Sequence, residues 1–170
     1  LIAAAQKRGK APRFDFFLLH STNCAIFLSA ILESDWMDDE ETARLFTGFG
    51  RMNVLLYIGM GSPALDLSIV RNHVPKFQYK DWAAISERII NHPDDGHASK
   101  MIRALIHAEK VSAPYKDDPA FLMKGDDFIK TANAIIDSLN PAGGKAGPHE
   151  PESWIRFSGF SEAWEKVPNV

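Results

Sequence analysis

The chain has 170 residues, 45% of them hydrophobic and 24% charged, with a formal net charge of -3, which is the composition of a soluble globular unit with a real core. The mildly acidic balance argues against nucleic acid as the main partner, because phosphate binding needs a basic surface. A single cysteine, Cys24, excludes an internal disulfide and a cysteine-based zinc site and favours a reducing, cytoplasmic setting, and no run of about 18 apolar residues is available to span a membrane.

The opening Leu1-Ile2-Ala3-Ala4-Ala5, followed by Gln6-Lys7-Arg8, is not a signal peptide, because the charges follow a very short apolar run. It reads as the tail of an earlier helix, so the chain is expected to be the C-terminal piece of something longer. Residues 14–33 are apolar on nearly every side and predict a helix buried all round. Asp38 or Asp39 is placed to cap a second helix, with Glu40 and Glu41 in its first turn, where the helix dipole favours acids. Gly48 and Gly50 weaken the middle of that helix, and Gly59, Gly61 and Pro63 end it.

Residues 65–72 predict a short helix and residues 81–90 another, stopped by Asn91-His92-Pro93. A further helix follows from Asp95. Pro114, Asp117, Asp118 and Pro119 predict a loop, and residues 121–139 a last long helix with Phe128, Ile129, Ala132, Ile135, Ile136 and Leu139 on its apolar stripe. Residues 140–151 read as a Gly/Pro loop. Residues 152–164 carry two tryptophans and two phenylalanines and predict a lid or terminal clasp. With no period-2 strand of useful length and no repeat, the fold class expected is all-α: a multi-helix orthogonal bundle of about six helices.

Histidines and a lysine carry the possible chemistry. His20 lies on the apolar first helix, with Phe16, Phe17, Cys24, Phe27 and Ile31 on its side. It reads either as a core histidine with one satisfied hydrogen bond or as a desolvated base or metal ligand. Asn23, three residues on, is placed to orient the ring or a substrate oxygen. His97, Lys100 and His107 project from one half of one helix, at about 100° per residue. His97 is either a loop anchor or a neutral imidazole at a helix start. Lys100 and His107 are either part of a solvated basic face or a site. A lysine held beside histidines loses proton affinity through like-charge repulsion, and as its carbamate would join histidines in an oxygen-and-nitrogen iron site. His73, His92 and His149 read as surface residues. Gly48-Phe49-Gly50 and Gly59-Met60-Gly61 lack the context of a dinucleotide loop, and neither a Gly-x-Ser-x-Gly elbow nor a two-histidine-one-carboxylate motif is present.

Several blocks resemble the C-terminal part of the fungal questin oxidase-like proteins, in order over nearly the whole chain. They are Phe14-Asp15-Phe16-Phe17-Leu18-Leu19-His20 with Asn23, then Arg44-Leu45 and Gly50-Arg51-Met52, then Asp94-Asp95-Gly96-His97-Ala98-Ser99-Lys100 with Arg103-Ala104-Leu105. Trp154-Ile155-Arg156 with Gly159-Phe160 completes the set. The resemblance implies that residues 1–170 form one helical unit of a larger all-helical protein, whose N-terminal part brings further histidine-rich helices and is its partner. It implies an oxygenase that opens the ring of an anthraquinone or its hydroquinone in fungal aromatic polyketide biosynthesis, with molecular oxygen as co-substrate and NADPH as reductant. The opening is formally a Baeyer–Villiger insertion or a dioxygenase-type cleavage. Some members imply non-heme Fe(II), here on His20, His97, Lys100 and His107. Others imply no organic cofactor.

On this reading His20, Asn23 and Lys100 are the catalytic candidates. Phe16, Phe27 and Trp36 would hold the flat substrate. The rivals are a cofactor-free oxidation with histidine as base, a dehydratase or isomerase of the same polyketides, and a helical binding domain without chemistry.

Overall fold

The computed structural model describes residues 1–139 and 152–170, which form six α-helices and one two-residue parallel strand pair. The loop expected over 140–151, with His149, lies outside the described residues. Strand β1 (Phe14–Asp15) leads directly into α1 (Phe16–Leu32). Helix α1 starts two residues later than its apolar pattern because Asp15 stays extended. The Asp15 carboxylate accepts hydrogen bonds from the N–H groups of Phe17 at 2.8 Å and Leu18 at 3.3 Å, satisfying donors that a helix start leaves unpaired.

Helix α2 (Asp39–Gly59) carries the expected cap as a complete capping box. The Asp38 side chain accepts from the Glu41 N–H, and the Glu41 carboxylate accepts from the Asp38 N–H. Gly48 and Gly50 do not break it. Then follow α3 (Ser68–Arg71), α4 (Trp82–Ile90) capped by Asp81, α5 (His97–Ser112), and α6 (Asp127–Ser138). The last helix is shorter at its start than the apolar pattern predicts. Gly125 turns the chain with a φ of +51°, and Asp127 is held by Arg71 and the Lys124 N–H, so residues 121–126 leave the helical path. Burial pushes the Asp127 carboxyl up, but the hydrogen bonds from Arg71 and Lys124 outweigh it, and the group is held below the ordinary carboxylate value.

Helix α5 packs on α1, α4 and α6 and forms the centre of the molecule. Phe14, Leu18, Leu19, Ile85, Met101 and Ile135 are among the fully buried side chains around it. Helix α2 touches the body through α1, and none of its side chains is fully buried. Helix α1 is therefore not buried all round. Leu18, Leu19 and Leu28 are covered, whereas Phe27 and Leu32 are each 58% exposed and His20 and Cys24 are exposed. The described elements packed on α1 are α2, α5 and β1, which cannot cover every side of it. Residues 1–5 form a single turn and an isolated bridge from Ala5 to Leu65, not the end of a helix.

The expected clasp is present. Strand β2 (Trp154–Ile155) pairs in parallel with β1, Ser158 N–H donates to the second oxygen of Asp15 at 2.8 Å, and Trp164 is buried with its indole N–H on the Ser158 carbonyl. Phe157 and Phe160 stay about half exposed. The chain crosses itself closely where Gly159 N–H donates to the Met60 carbonyl at 2.8 Å. A Cβ on Gly159 would collide with the carbonyls of Met60 and Gly61, and one on Gly61 with the Phe160 ring. Gly59-Met60-Gly61 thus serves a backbone crossing.

Two histidines expected at the surface are not there. His92 is buried, and burial lowers its pKa, with Asp94 opposing and Arg88 assisting. His73 is half-buried, its Nε2–H donating to the Asp137 carboxylate at 2.8 Å.

Candidate active site

The Asp94–Lys100 block explains itself residue by residue. Asp94 accepts from the N–H groups of Gly96 and Ala98, each at 2.8 Å, and so caps α5 from outside the helix. Gly96 takes a φ of +92° at the N-cap. Asp95 is free to turn back and accept a hydrogen bond from Nδ1 of His97. That bond is the main reason the Asp95 carboxyl lies below the ordinary value; slight burial opposes it and the charge of Lys100 assists.

His97 is buried, and its ring meets α1. The centroids of His97 and His20 are 5.2 Å apart in an edge-on arrangement, and Phe16 lies 4.9 Å from His97 and 4.6 Å from His20. Ser29 and His107 meet farther along the same two helices through a 2.8 Å hydrogen bond. Helices α1 and α5 therefore run side by side in the same direction, and both start at the histidine pair. Their N-terminal dipole ends favour negative charge at this corner. The Arg156 guanidinium, brought in by β2, sits 4.8 Å from the Phe16 ring centre.

The hydrogen bonds set the chemistry of the pair. Backbone carbonyls and carboxylates only accept. Nδ1 of His20, 2.7 Å from the Phe16 carbonyl, and Nδ1 of His97, on Asp95, must both carry hydrogen. In each neutral ring Nε2 then holds the lone pair, as a base or a ligand requires. Asn23, one turn along α1 from His20, has both amide atoms buried without a hydrogen-bond partner among the described residues. An unmet buried amide costs about 1–3 kcal/mol, so it marks a position suited to a polar partner.

The remaining candidates are not drawn together. Lys100 is exposed one turn beyond His97. His107 is half-buried and committed to Ser29. Phe27 is 58% and Trp36 70% exposed, and Phe16 is already in contact with His20, His97, Phe17 and Arg156. His20 itself is exposed, not sealed in the apolar core. Among the described residues, no three His, Cys, Asp or Glu side chains are grouped to hold a metal. The sequence reading missed Asp95 and Arg156. An acid two residues before a histidine was the available signal for Asp95; nothing in the sequence places Arg156 on Phe16.

Comparison with known proteins adds an independent line. A family model described as questin oxidase-like matches residues 1–105, which include His20, His97 and Lys100 but not His107 or Arg156. The chain is 33% identical to a Baeyer-Villiger monooxygenase, AacuH, of Aspergillus aculeatus, over 97% of this chain and 34% of that protein. It is 32% identical to a questin oxidase of Aspergillus fumigatus, over 100% of this chain and 37% of that protein. It is 31% identical to the oxidoreductase AflY of Aspergillus parasiticus, over 100% and 39%. The chain spans between a third and two-fifths of the length of these curated relatives.

Proposed function

This chain belongs to the questin oxidase-like family, and from that premise we propose that it supplies the base of an oxygenase that opens an anthraquinone ring, with the reduced hydroquinone as the reacting form. The observation that supports this reading is the facing pair His20 and His97, each with its Nδ1–H anchored. Nε2 of His20, the more accessible ring, takes the proton of a hydroquinone hydroxyl, and the electron-rich anion then reacts with dioxygen. Nε2 of His97 holds the second hydroxyl. The oxidation balances without another reductant: the hydroquinone carries the two electrons and two protons that turn one oxygen atom into water, while the other enters the ring as a lactone, and water then cleaves the lactone C–O bond to give the opened hydroxy acid. NADPH, as the prior reductant, supplies the hydride that makes hydroquinone from quinone. The two helix N-termini and Arg156 stabilise the anion, and the buried Asn23 amide offers a donor and an acceptor to substrate oxygen. Phe27, on the same side of α1 as His20, offers exposed aromatic surface for a flat ring system.

A metal-dependent version rests on the same free Nε2 atoms. Iron(II) on His20 and His97, with Lys100 as carbamate and His107, would supply dioxygen activation. The fit is partial: the two paired rings suit a metal, but His107 lies ten residues along α5 from His97, about 15 Å away at about 1.5 Å per residue, and is turned to Ser29. The test is oxygen uptake by the purified protein when a chemically reduced anthraquinone is added. His20→Ala and His97→Ala are expected to lower the rate by about 100-fold or more, in line with loss of a general base. Uptake that survives both substitutions overturns the proposal. Uptake that follows iron content and stops on chelation replaces the base reading with the metal one.

A further inference from the structure

A cavity of about 510 Å³ lies between the N-terminal segment, α3 with the loop after it, α6 and the C-terminal residues. It shares no lining residue with the histidine pair. Arg13 lies in its wall although it is 8% exposed. Its Nη1–H donates to the Pro12 carbonyl at 2.8 Å and its backbone N–H to Gln6, but Nε is buried with no partner. Among the described residues Arg13 forms no ion pair. Among the described residues the one acidic side chain in the wall is Asp137, and it is already held by His73 and by the Lys76 N–H at 2.9 Å. A buried guanidinium without a counter-charge is costly, and burial correspondingly lowers its proton affinity. Lys10 and Lys76 add two more positive charges. The rest of the wall includes Ala11, Pro12, Ile69, Val74 and Pro168, which are apolar.

We propose that this cavity binds a small organic carboxylate, its acid group on Arg13 with Lys10 and Lys76 beside it, and its apolar body against Pro12, Ile69, Val74 and Pro168. The guanidinium fork matches a carboxylate. The volume falls in the range of about 300–1,000 Å³ typical of small-molecule sites and far exceeds what an inorganic oxyanion fills. The apolar wall favours an organic body over hydrated phosphate. The site is independent of the oxygenase reading.

Titration calorimetry with sodium benzoate and, separately, inorganic phosphate tests it, together with methyl NMR of Ile69 and Val74. Benzoate is expected to bind saturably at millimolar concentration or below, to shift those methyls, and to bind at least tenfold more weakly to Arg13→Gln. If Arg13→Gln does not fold, the exposed Lys76→Gln and the part-buried Lys10→Gln serve instead, with several-fold weaker binding expected from each at unchanged melting temperature. The proposal is overturned if benzoate does not saturate, if phosphate binds and benzoate does not, or if these variants bind like the parent. Binding lost in His20→Ala but kept in Arg13→Gln also overturns it, because the ligand then sits on the histidines.

Discussion

A carboxylate accepts hydrogen bonds but cannot donate them, so Asp95 decides which nitrogen of His97 carries hydrogen. An amide in its place would donate through its NH₂ and permit the opposite tautomer. Asp95→Asn is therefore expected to lower kcat by about 10–100-fold, the usual cost of losing such a partner. Its melting temperature should barely move, because the Asp95 side chain is 75% exposed and surface changes are usually within about 0.5 kcal/mol. Steady-state kinetics beside thermal melts checks both halves. His92 shows the opposite balance: it is buried, and burial pushes its pKa below the usual value of about 6.5. The unfolded chain takes up this proton more readily than the folded one. Stability should be full above about pH 6.5 and fall as the pH drops below that value. Urea unfolding across that range should show the slope, and His92→Gln should flatten it.

At the scale of the element, the capping box of α2 was legible in Asp38-Asp39-Glu40-Glu41 because a cap depends on neighbours along the chain. Asp38→Ala is expected to cost about 1 kcal/mol, read by thermal denaturation. With none of its side chains fully buried and α1 as its support, α2 should also lose hydrogen-exchange protection in its first turns before the rest of the protein does. Helix α6 teaches the converse. Its apolar stripe is legible in the sequence, but its start is not. The turn at Gly125 and the capture of Asp127 by Arg71, 56 positions away, compete with helix for residues 121–126.

For the whole molecule, Asp15 joins the start of α1 to a segment 143 positions away. It caps α1 and holds the Ser158 N–H next to β2. Losing the cap and orphaning a buried N–H together should cost about 3 kcal/mol in Asp15→Ala. Limited proteolysis should then cut residues 152–170 first, with Trp164 fluorescence shifting to the red as the indole meets water. The same clasp brings Arg156 onto Phe16 beside the histidine pair, so its release should lower activity together with stability.

By itself the sequence determined the all-α class, an acidic cap for α2 at Asp38 or Asp39, the apolar stripe of α6, the terminal clasp and the family resemblance. Each rests on local periodicity, capping chemistry or ordered motifs that neighbouring residues express without help. Only the tertiary structure decided that His20 meets His97 while Lys100 faces solvent and His107 turns to Ser29. It also decided that His92 is buried and that α1 keeps an open side. Helical periodicity states which residues share a face, but the packing of α1 beside α5 is a long-range choice made by the core. That choice determines which of those faces ever meet.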